Sequence, residues 1–482
     1  MSQPDLSTPR ARNLALALLA MTQFVVVIDA SIVNVALPSI GKALDFSQDD
    51  LSWVVNSYTL TFGGFLLLGG RLADYLGRRR IFMIGMALFA LASLAGGFAQ
   101  NETWLITARA IQGLGAAIAS PAALSIVTTT FSEGQERNRA LGIWGAVAGA
   151  GGAAGVLLGG VLTQWAGWEW VLFVNVPIGA FIVWQAPKRL VESTASEEKD
   201  RSLDVLGAIL VSAGLALGVY AMVGATTAGW TSASTIWRLV GAVALLAVFV
   251  IVELRVKKPL VPFSIFRLRT LRGANIVGVL IGMSLFSMFF LITLYLQQVL
   301  GDDALKAGVS YLPLAISIIL TAGAASALVT RIGFKNVLII GMIFVAAGLA
   351  WFSQISPTGS YATDVLGPSI LAGIGLGASF VPVTIAAVTG TEPHEAGLAS
   401  GLINTTQQVG GAIGVAVTSS ISISHAAHEQ KAGKSFAESF TSGSQWAFWL
   451  CTGIAIVGFV ATLILVRGDD LDAVAEGAPI IA

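Results

Sequence analysis

Leu14-Ala-Leu-Ala-Leu-Leu-Ala-Met-Thr-Gln-Phe-Val-Val-Val-Ile-Asp29-Ala-Ser-Ile-Val-Asn-Val-Ala-Leu37 is the stretch that decides the fold. Its 24 residues are apolar throughout and hold one ionisable side chain, Asp29. A run of about 20 such residues crosses the hydrocarbon core of a bilayer as a helix. An acid inside that run is costly and marks function. Elsewhere the chain places one further charge at membrane depth, Arg109.

The rest of the composition agrees with a membrane reading. Of 482 residues, 55% are hydrophobic and 11% are charged; mean hydropathy is +0.80. Soluble domains carry roughly 25% charged residues. The apolar runs are too long and too unalternating for the strands of a lipid-facing barrel. A single cysteine, Cys451, excludes an intrachain disulfide and a multi-cysteine metal site. Arg10 and Arg12 precede a run too long for a signal-peptide core, which makes it an uncleaved first span.

Fourteen spans are expected: 14–37, 51–70, 81–98, 104–128, 141–162, 171–186, 205–223, 239–252, 276–300, 309–329, 334–352, 365–389, 398–423 and 446–466. With the N-terminus inside, cytoplasmic segments hold 21 basic residues and outer segments five. Such a skew fixes orientation, with both termini cytoplasmic. The organisation follows: a six-helix bundle (1–187), a cytoplasmic linker of mixed charge (188–204), two inserted helices (205–255), a cytoplasmic loop (256–273), a second six-helix bundle (274–467) and a cytoplasmic tail (468–482). The fold class is all-α and polytopic.

Two stretches recur. Gly70-Arg-Leu-Ala-Asp74-Tyr-Leu-Gly77-Arg78-Arg79 aligns with Ser326–Lys335 at a shift of 256. Residues 140–155 align with residues 399–414 at a shift of 259. Spans 1–6 and 9–14 therefore read as two copies of one unit in the same orientation. Parallel repeats around a midplane cavity are transporter architecture. In the first stretch, Gly70 and Gly77 permit close approach and a tight turn. Asp74 stands at a helix boundary, where it can cap a helix or pair with a nearby arginine. A plain positive-inside anchor is the bland alternative to a latch.

These residues resemble the signature of the major facilitator superfamily. Further motifs resemble its fourteen-span drug:proton antiporter branch. They are Asp29 through Pro38, Arg109-Ala-Ile-Gln112-Gly113-Leu-Gly115, the span-5 series Gly145, Gly149, Gly152, Gly155, Gly159 and Gly160, and Asn175-Val-Pro177. The chain departs from that pattern with Val156 where proline is usual, and with Gln407 and Glu169 where arginine is frequent. The resemblance implies a major facilitator fold of two six-helix bundles plus two inserted helices. It also implies alternating access, proton coupling on Asp29 with help from Arg109, and glycine packing in span 5.

Simple geometry supports a pairing of the two charges. Asp29 lies ~22 Å along span 1 from the inner boundary, and Arg109 lies ~8 Å below the outer one. In a core of ~30 Å these depths coincide. Burial favours the neutral carboxyl, whereas a guanidinium favours the carboxylate. A movement that alters the balance would load or release a proton; a static bridge between two helices is the alternative.

Polar and adaptable side chains at depth are candidates for a substrate cavity: Gln23, Asn34, Asn56, Gln112, Trp144, Phe286, Phe290, Tyr295, Gln297, Asn404 and Gln408. Each has ordinary helix packing as its competing explanation. No ATP-binding phosphate loop is present, so the proton gradient is the expected energy source and no cofactor is expected. His425 and His428 lack a clear ligand set, and no metal site is expected. The expected protein is a monomeric, multi-pass transporter of the cell membrane that meets small molecules, protons and lipid but no nucleic acid. It is no enzyme. The expected function is proton-coupled multidrug efflux of lipophilic or cationic compounds, with export of one natural product or metabolite as the alternative; ligand sensing without transport predicts a sizeable cytoplasmic output domain, which the sequence does not show.

Overall fold

In a computed structural model of the chain, the described residues are 8–46, 53–132, 134–193, 204–256, 259–391 and 395–467, with residues 4 and 51. The central part of the 188–204 linker and the 468–482 tail lie outside them. The described residues form fourteen long helices and no strand. Helices meet the demand of a bilayer because each satisfies its own backbone groups. The first six are α1 Pro9–Ala43, α2 Trp53–Leu76, α3 Arg78–Gly97, α4 Glu102–Thr130, α5 Gln135–Trp165 and α6 Trp170–Arg189. The inserted pair is α7 Val205–Ala228 and α8 Ala233–Glu253, and α9 is Arg269–Leu294. A short helix, Ala304–Ser310, leads into the run Leu312–Phe352. That run turns at Gly333 and so supplies α10 (residues 312–332) and α11 (residues 334–352). The last three are α12 Leu366–Val388, α13 Ala396–Lys431 and α14 Phe436–Leu465.

Local chemistry sets several boundaries. α1 begins at Pro9, earlier than its apolar run, because Thr8 caps it by accepting from the Ala11 amide at 3.3 Å and proline suits the first turn. α6 breaks at Val174 into Trp170–Phe173 and Asn175–Arg189. Pro177 lacks an amide donor and clashes with the carbonyl four residues back, Phe173, which places the break there.

α1–α6 and α9–α14 pack as two bundles with one internal design. Gly77 and Gly333, equivalent in the repeat, both take positive φ, 105° and 80°. α5 lies on α1 through glycines: a Cβ would lie 2.8 Å from Val27 Cγ1 at Gly151, and 2.8 Å from the Ile28 carbonyl oxygen at Gly155. α13 lies on α9 in the same manner, with Cβ positions 2.9 Å from Val279 Cα at Gly410 and 2.5 Å from Met283 Cα at Gly414. Small residues let helices approach closely where apolar solvent gives no hydrophobic drive.

Between the bundles run two lateral seams, one lined by α2 and α13, the other by α5 and α10. The inserted α7 covers the first, packing on both α2 and α13. Trp53 and Tyr220 hold their rings 5.1 Å apart there. α8 packs on α7 and turns Trp237, Val240 and Val243 outward. Among the described residues no helix covers the α5/α10 seam.

Candidate functional site

The Asn-Val-Pro turn of α6 delivers Asn175 to the bundle interior at the break in that helix. The carbonyl of Leu172, on the other side of the break, accepts from Ser93 Oγ of α3 at 2.8 Å. Around these two residues five helices converge on Asp29. Arg109 Nη1 of α4 donates to Asp29 Oδ2 at 2.6 Å. Gln112 Nε2 and Asn175 Nδ2 both donate to Oδ1, at 2.8 and 2.7 Å. The same two amides reach Ser93 Oγ at 3.0 and 3.1 Å.

Arg109 is held independently of the carboxylate. Its Nη1 also donates to Gln112 Oε1 at 2.7 Å, and its Nε donates to the Val54 carbonyl of α2 at 3.1 Å. Its guanidinium lies over the Tyr58 ring, 4.4 Å from the centroid, and Tyr58 donates to the Val26 carbonyl at 3.2 Å. A cation over a desolvated aromatic face gains on the order of 2 kcal/mol. Arg109 Nη2 is buried without a hydrogen-bond partner. Asp29 is 0% exposed and Arg109 1%, so no substrate touches this centre in the present conformation. The centre belongs wholly to the first bundle.

A second constellation sits at the end of the bundle that carries residues 70–80, called here the basic end. Asp74 Oδ1 accepts from Arg78 Nε at 3.3 Å and Nη2 at 3.1 Å. Its Oδ2 accepts from the Leu398 amide at 3.1 Å, in the first turn of α13. First-turn amides have no intrahelical acceptor and sit at the positive end of the helix dipole. Asp74 of one bundle thus caps a helix of the other. Positive φ at Gly77 makes the turn that lets Arg78 begin α3. Arg79 bonds Glu192 through its amide at 3.1 Å and the Leu190 carbonyl through Nη1 at 3.1 Å. Arg71 donates to the Pro259 carbonyl at 2.9 Å. The other bonds seen between the bundles lie at this same end: Ser326 Oγ donates to the Asn138 carbonyl at 2.8 Å, and Asn138 meets Thr330 at 3.5 Å. The basic end is closed.

The remaining sequence candidates are dispersed. Gln112 belongs to the Asp29 centre rather than to a cavity wall. Gln23 accepts from Ser120 Oγ at 3.1 Å. Asn34 and Asn404 turn back to the Ala30 and Ser400 carbonyls of their own helices. Trp144 is buried. Tyr295 donates to Asp364 and to the Ser356 carbonyl at 2.8 and 2.7 Å, which ties α9 to the start of α12 at the end opposite the latch. Phe290 is exposed, and Asn56, Phe286, Gln297 and Gln408 are half-buried. Of the span-5 glycines, Gly155 and Gly159 face α1, while Gly145 and Gly152 face Val381 and Phe289 of the second bundle. Gly160 is buried, and the surroundings of Gly149 lie outside the description. The reading of isolated side chains passed over Ser93, Tyr58, Glu192 and Leu398. Only Tyr58, an aromatic one helical turn from Val54, carried any signal, and a weak one.

A helical bundle pair with an internal parallel repeat, a buried ion pair and a closed basic end defines a membrane transporter. The family model of the Major Facilitator Superfamily matches residues 19–415, and the chain belongs to that superfamily. It is a multi-pass membrane transporter and not an enzyme. The chain is 42% identical over 406 residues to a cephamycin export protein of Amycolatopsis lactamdurans, covering 84% of this chain and 83% of that protein. It is 39% identical over 410 residues to a puromycin resistance protein of Streptomyces alboniger, covering 84% of this chain and 81% of the other. The crystal structure of the human organic anion transporter MFSD10 superposes with a TM-score of 0.68 at 15% identity, over 95% of this chain and all of that one; that likeness speaks to fold alone.

Proposed function

We propose that this transporter is a proton-coupled antiporter of the fourteen-helix drug-export branch, carrying lipophilic or cationic small molecules out across the cytoplasmic membrane by alternating access. The basic end and both termini face the cytoplasm in this reading. One observation carries it: a carboxylate with no solvent exposure, bonded to a guanidinium at 2.6 Å inside a transporter bundle.

Proton loading works through what remains when Asp29 is neutralised. A neutral Asp29 gives up most of its attraction to Arg109. Arg109 keeps the Gln112 oxygen, the Val54 carbonyl and the Tyr58 face, so it is not left bare in oil. α1 and α4 are then less tightly tied to each other. α1 carries the glycine-faced α5, and α5 lines the seam between the bundles. Substrate binding at the seam and proton binding at Asp29 therefore act on the same helices without touching each other. At the cytoplasmic end, the Asp74–Leu398 bond holds the closed, outward-facing arrangement and must break for inward opening.

The test is flux in everted vesicles across a panel of dyes and antibiotics. The expected result is substrate-dependent collapse of an imposed pH gradient, lost in Asp29→Asn with insertion unchanged. Retained coupling in that variant would remove Asp29 from the mechanism, and binding without flux would favour a sensor. A narrower reading, export of one natural product, is favoured by relatives whose names each carry a single antibiotic, cephamycin or puromycin. A single active compound in the panel would select it.

A further inference from the structure

The two lateral seams are not equivalent. One is covered by α7, and the other holds a cleft of about 600 Å³. Ile143 and Ala146 of α5, Ile319 and Gly323 of α10, and Phe24 of α1 form its apolar wall, and Arg139 stands at its basic end. Ile143 and Ile319 are 37% and 48% exposed, so the cleft opens sideways toward lipid. No acid lines it. Arg139 is exposed and forms no ion pair among the described residues, and the neighbouring acid, Glu136, is occupied by Arg12 at 3.1 Å.

The dimensions suit one class of occupant. From Gln135 to Val147 the α5 wall rises ~18 Å, close to one leaflet of a ~30 Å core. An apolar cleft does not hold water well, and one open to the bilayer fills with what the bilayer supplies. A basic side chain at headgroup level attracts anionic lipid by about 1 kcal/mol.

We propose that the α5/α10 cleft binds an anionic phospholipid of the adjoining leaflet, with one acyl chain between the helices and the headgroup phosphate on Arg139. The bonds that close the basic end, from Ser326 to the Asn138 carbonyl and from the Asn138 amide to Thr330, lie beside this acyl chain. The lipid therefore occupies the gap whose width differs between closed and open states, and anionic lipid content sets how readily the transporter alternates. This goes beyond the antiporter reading and does not depend on proton coupling.

The test measures lipid retention by native mass spectrometry on the full chain, released from nanodiscs of phosphatidylcholine with or without phosphatidylglycerol. Four variants are compared with the wild type. Arg139→Gln removes the headgroup contact. Gly323→Leu fills the cleft, since a Cβ there meets nothing within 4 Å. Arg80→Gln removes an exposed charge at the same end away from the cleft, and Asp29→Asn removes the proton site. The wild type is expected to retain phosphatidylglycerol over phosphatidylcholine. Loss of one basic contact should lower that retention about fivefold, with a similar loss in Gly323→Leu and none in Arg80→Gln or Asp29→Asn. Equal retention in the wild type, Arg139→Gln and Gly323→Leu would overturn the proposal. An equal fall in Arg80→Gln would do the same, by reducing it to general surface charge. Because Asp29→Asn is read in the same assay, failure of the antiporter mechanism stays distinguishable from failure of the lipid site.

Discussion

The two bundles share a frame and divide the chemistry. Gly151 and Gly155 seat α5 on α1 as Gly410 and Gly414 seat α13 on α9. Gly77 and Gly333 make the same left-handed turn. Yet where the first bundle has Asp74 and Arg78, the second has Thr330 and Phe334. Where α1 and α4 meet through Asp29 and Arg109, α12 carries no charged residue and α9 only Arg269 and Arg272 at its start. The difference teaches that packing and chemistry separate: packing is common to both copies, as the proposed alternating access of two rigid bundles requires. A charge in oil is costly wherever it lies, and in the proposed mechanism it is kept in the one copy where it couples to protons.

Substitutions can break this comparison, and the largest effect falls on the charged half. Asp29→Asn leaves Arg109 buried without a counter-ion, and breaking such a pair costs about 3–5 kcal/mol. Proton-driven uptake into everted vesicles should vanish, with a lower thermal midpoint in detergent. Leu285→Asn, a polar amide introduced into the apolar α9 of the other copy, should leave the proton dependence in place.

Asp74→Asn should come next. It weakens charge-assisted bonds to Arg78 and to the Leu398 amide, each worth roughly 1.5–3 kcal/mol. Cysteine accessibility at the basic end would report more frequent opening. Thr330→Ala, its counterpart, should change accessibility far less.

Packing substitutions should abolish the asymmetry. Gly155→Leu and Gly414→Leu both force a side chain against a neighbouring backbone, and overpacking costs typically about 1–3 kcal/mol. Similar falls in thermal midpoint would mark the shared frame; a fall in one half alone would deny it.

The smallest effect sharpens the comparison at the turns. Gly77→Ala and Gly333→Ala both pay about 1 kcal/mol for positive φ. At Gly77 a Cβ also lies 2.7 Å from Glu192 Oε1, whereas at Gly333 it meets nothing within 4 Å. Gly77→Ala should therefore lower stability more, and the gap should close in a Glu192→Ala background.

The inserted helices add a third term. Nothing in their composition says where they dock, because α7 is apolar all round. The structure lays α7 across the α2/α13 seam, where Ser212 and Ala216 approach Gly64. A pseudo-symmetric pair thereby acquires one covered side and one bare side.

Much of the site was legible because an acid and an arginine stand out in apolar runs, and their depths could be counted along helices. Ser93 did not stand out, since a hydroxyl in a span is commonplace and bonds to its own helix as readily as to another; Asn175 was read as part of a motif, with no partner assigned. Gln112 read as a cavity residue because periodicity gives the face of a helix but not the helix it meets. Glu192 read as part of a solvated linker, yet it binds Arg79 at 3.1 Å through the backbone amide.

By itself the sequence determined the membrane class, the repeated unit, the turn glycines and the two charges at one depth. All of these are local quantities, set by hydropathy, backbone freedom and residue count. Only the tertiary structure decided that α4 and α6 supply the direct partners of Asp29, that Asp74 caps a helix 324 residues away, and that one seam is covered and the other open. Those facts depend on which faces meet, and in a bilayer that choice is made by shape and hydrogen bonding between helices rather than by how apolar each one is.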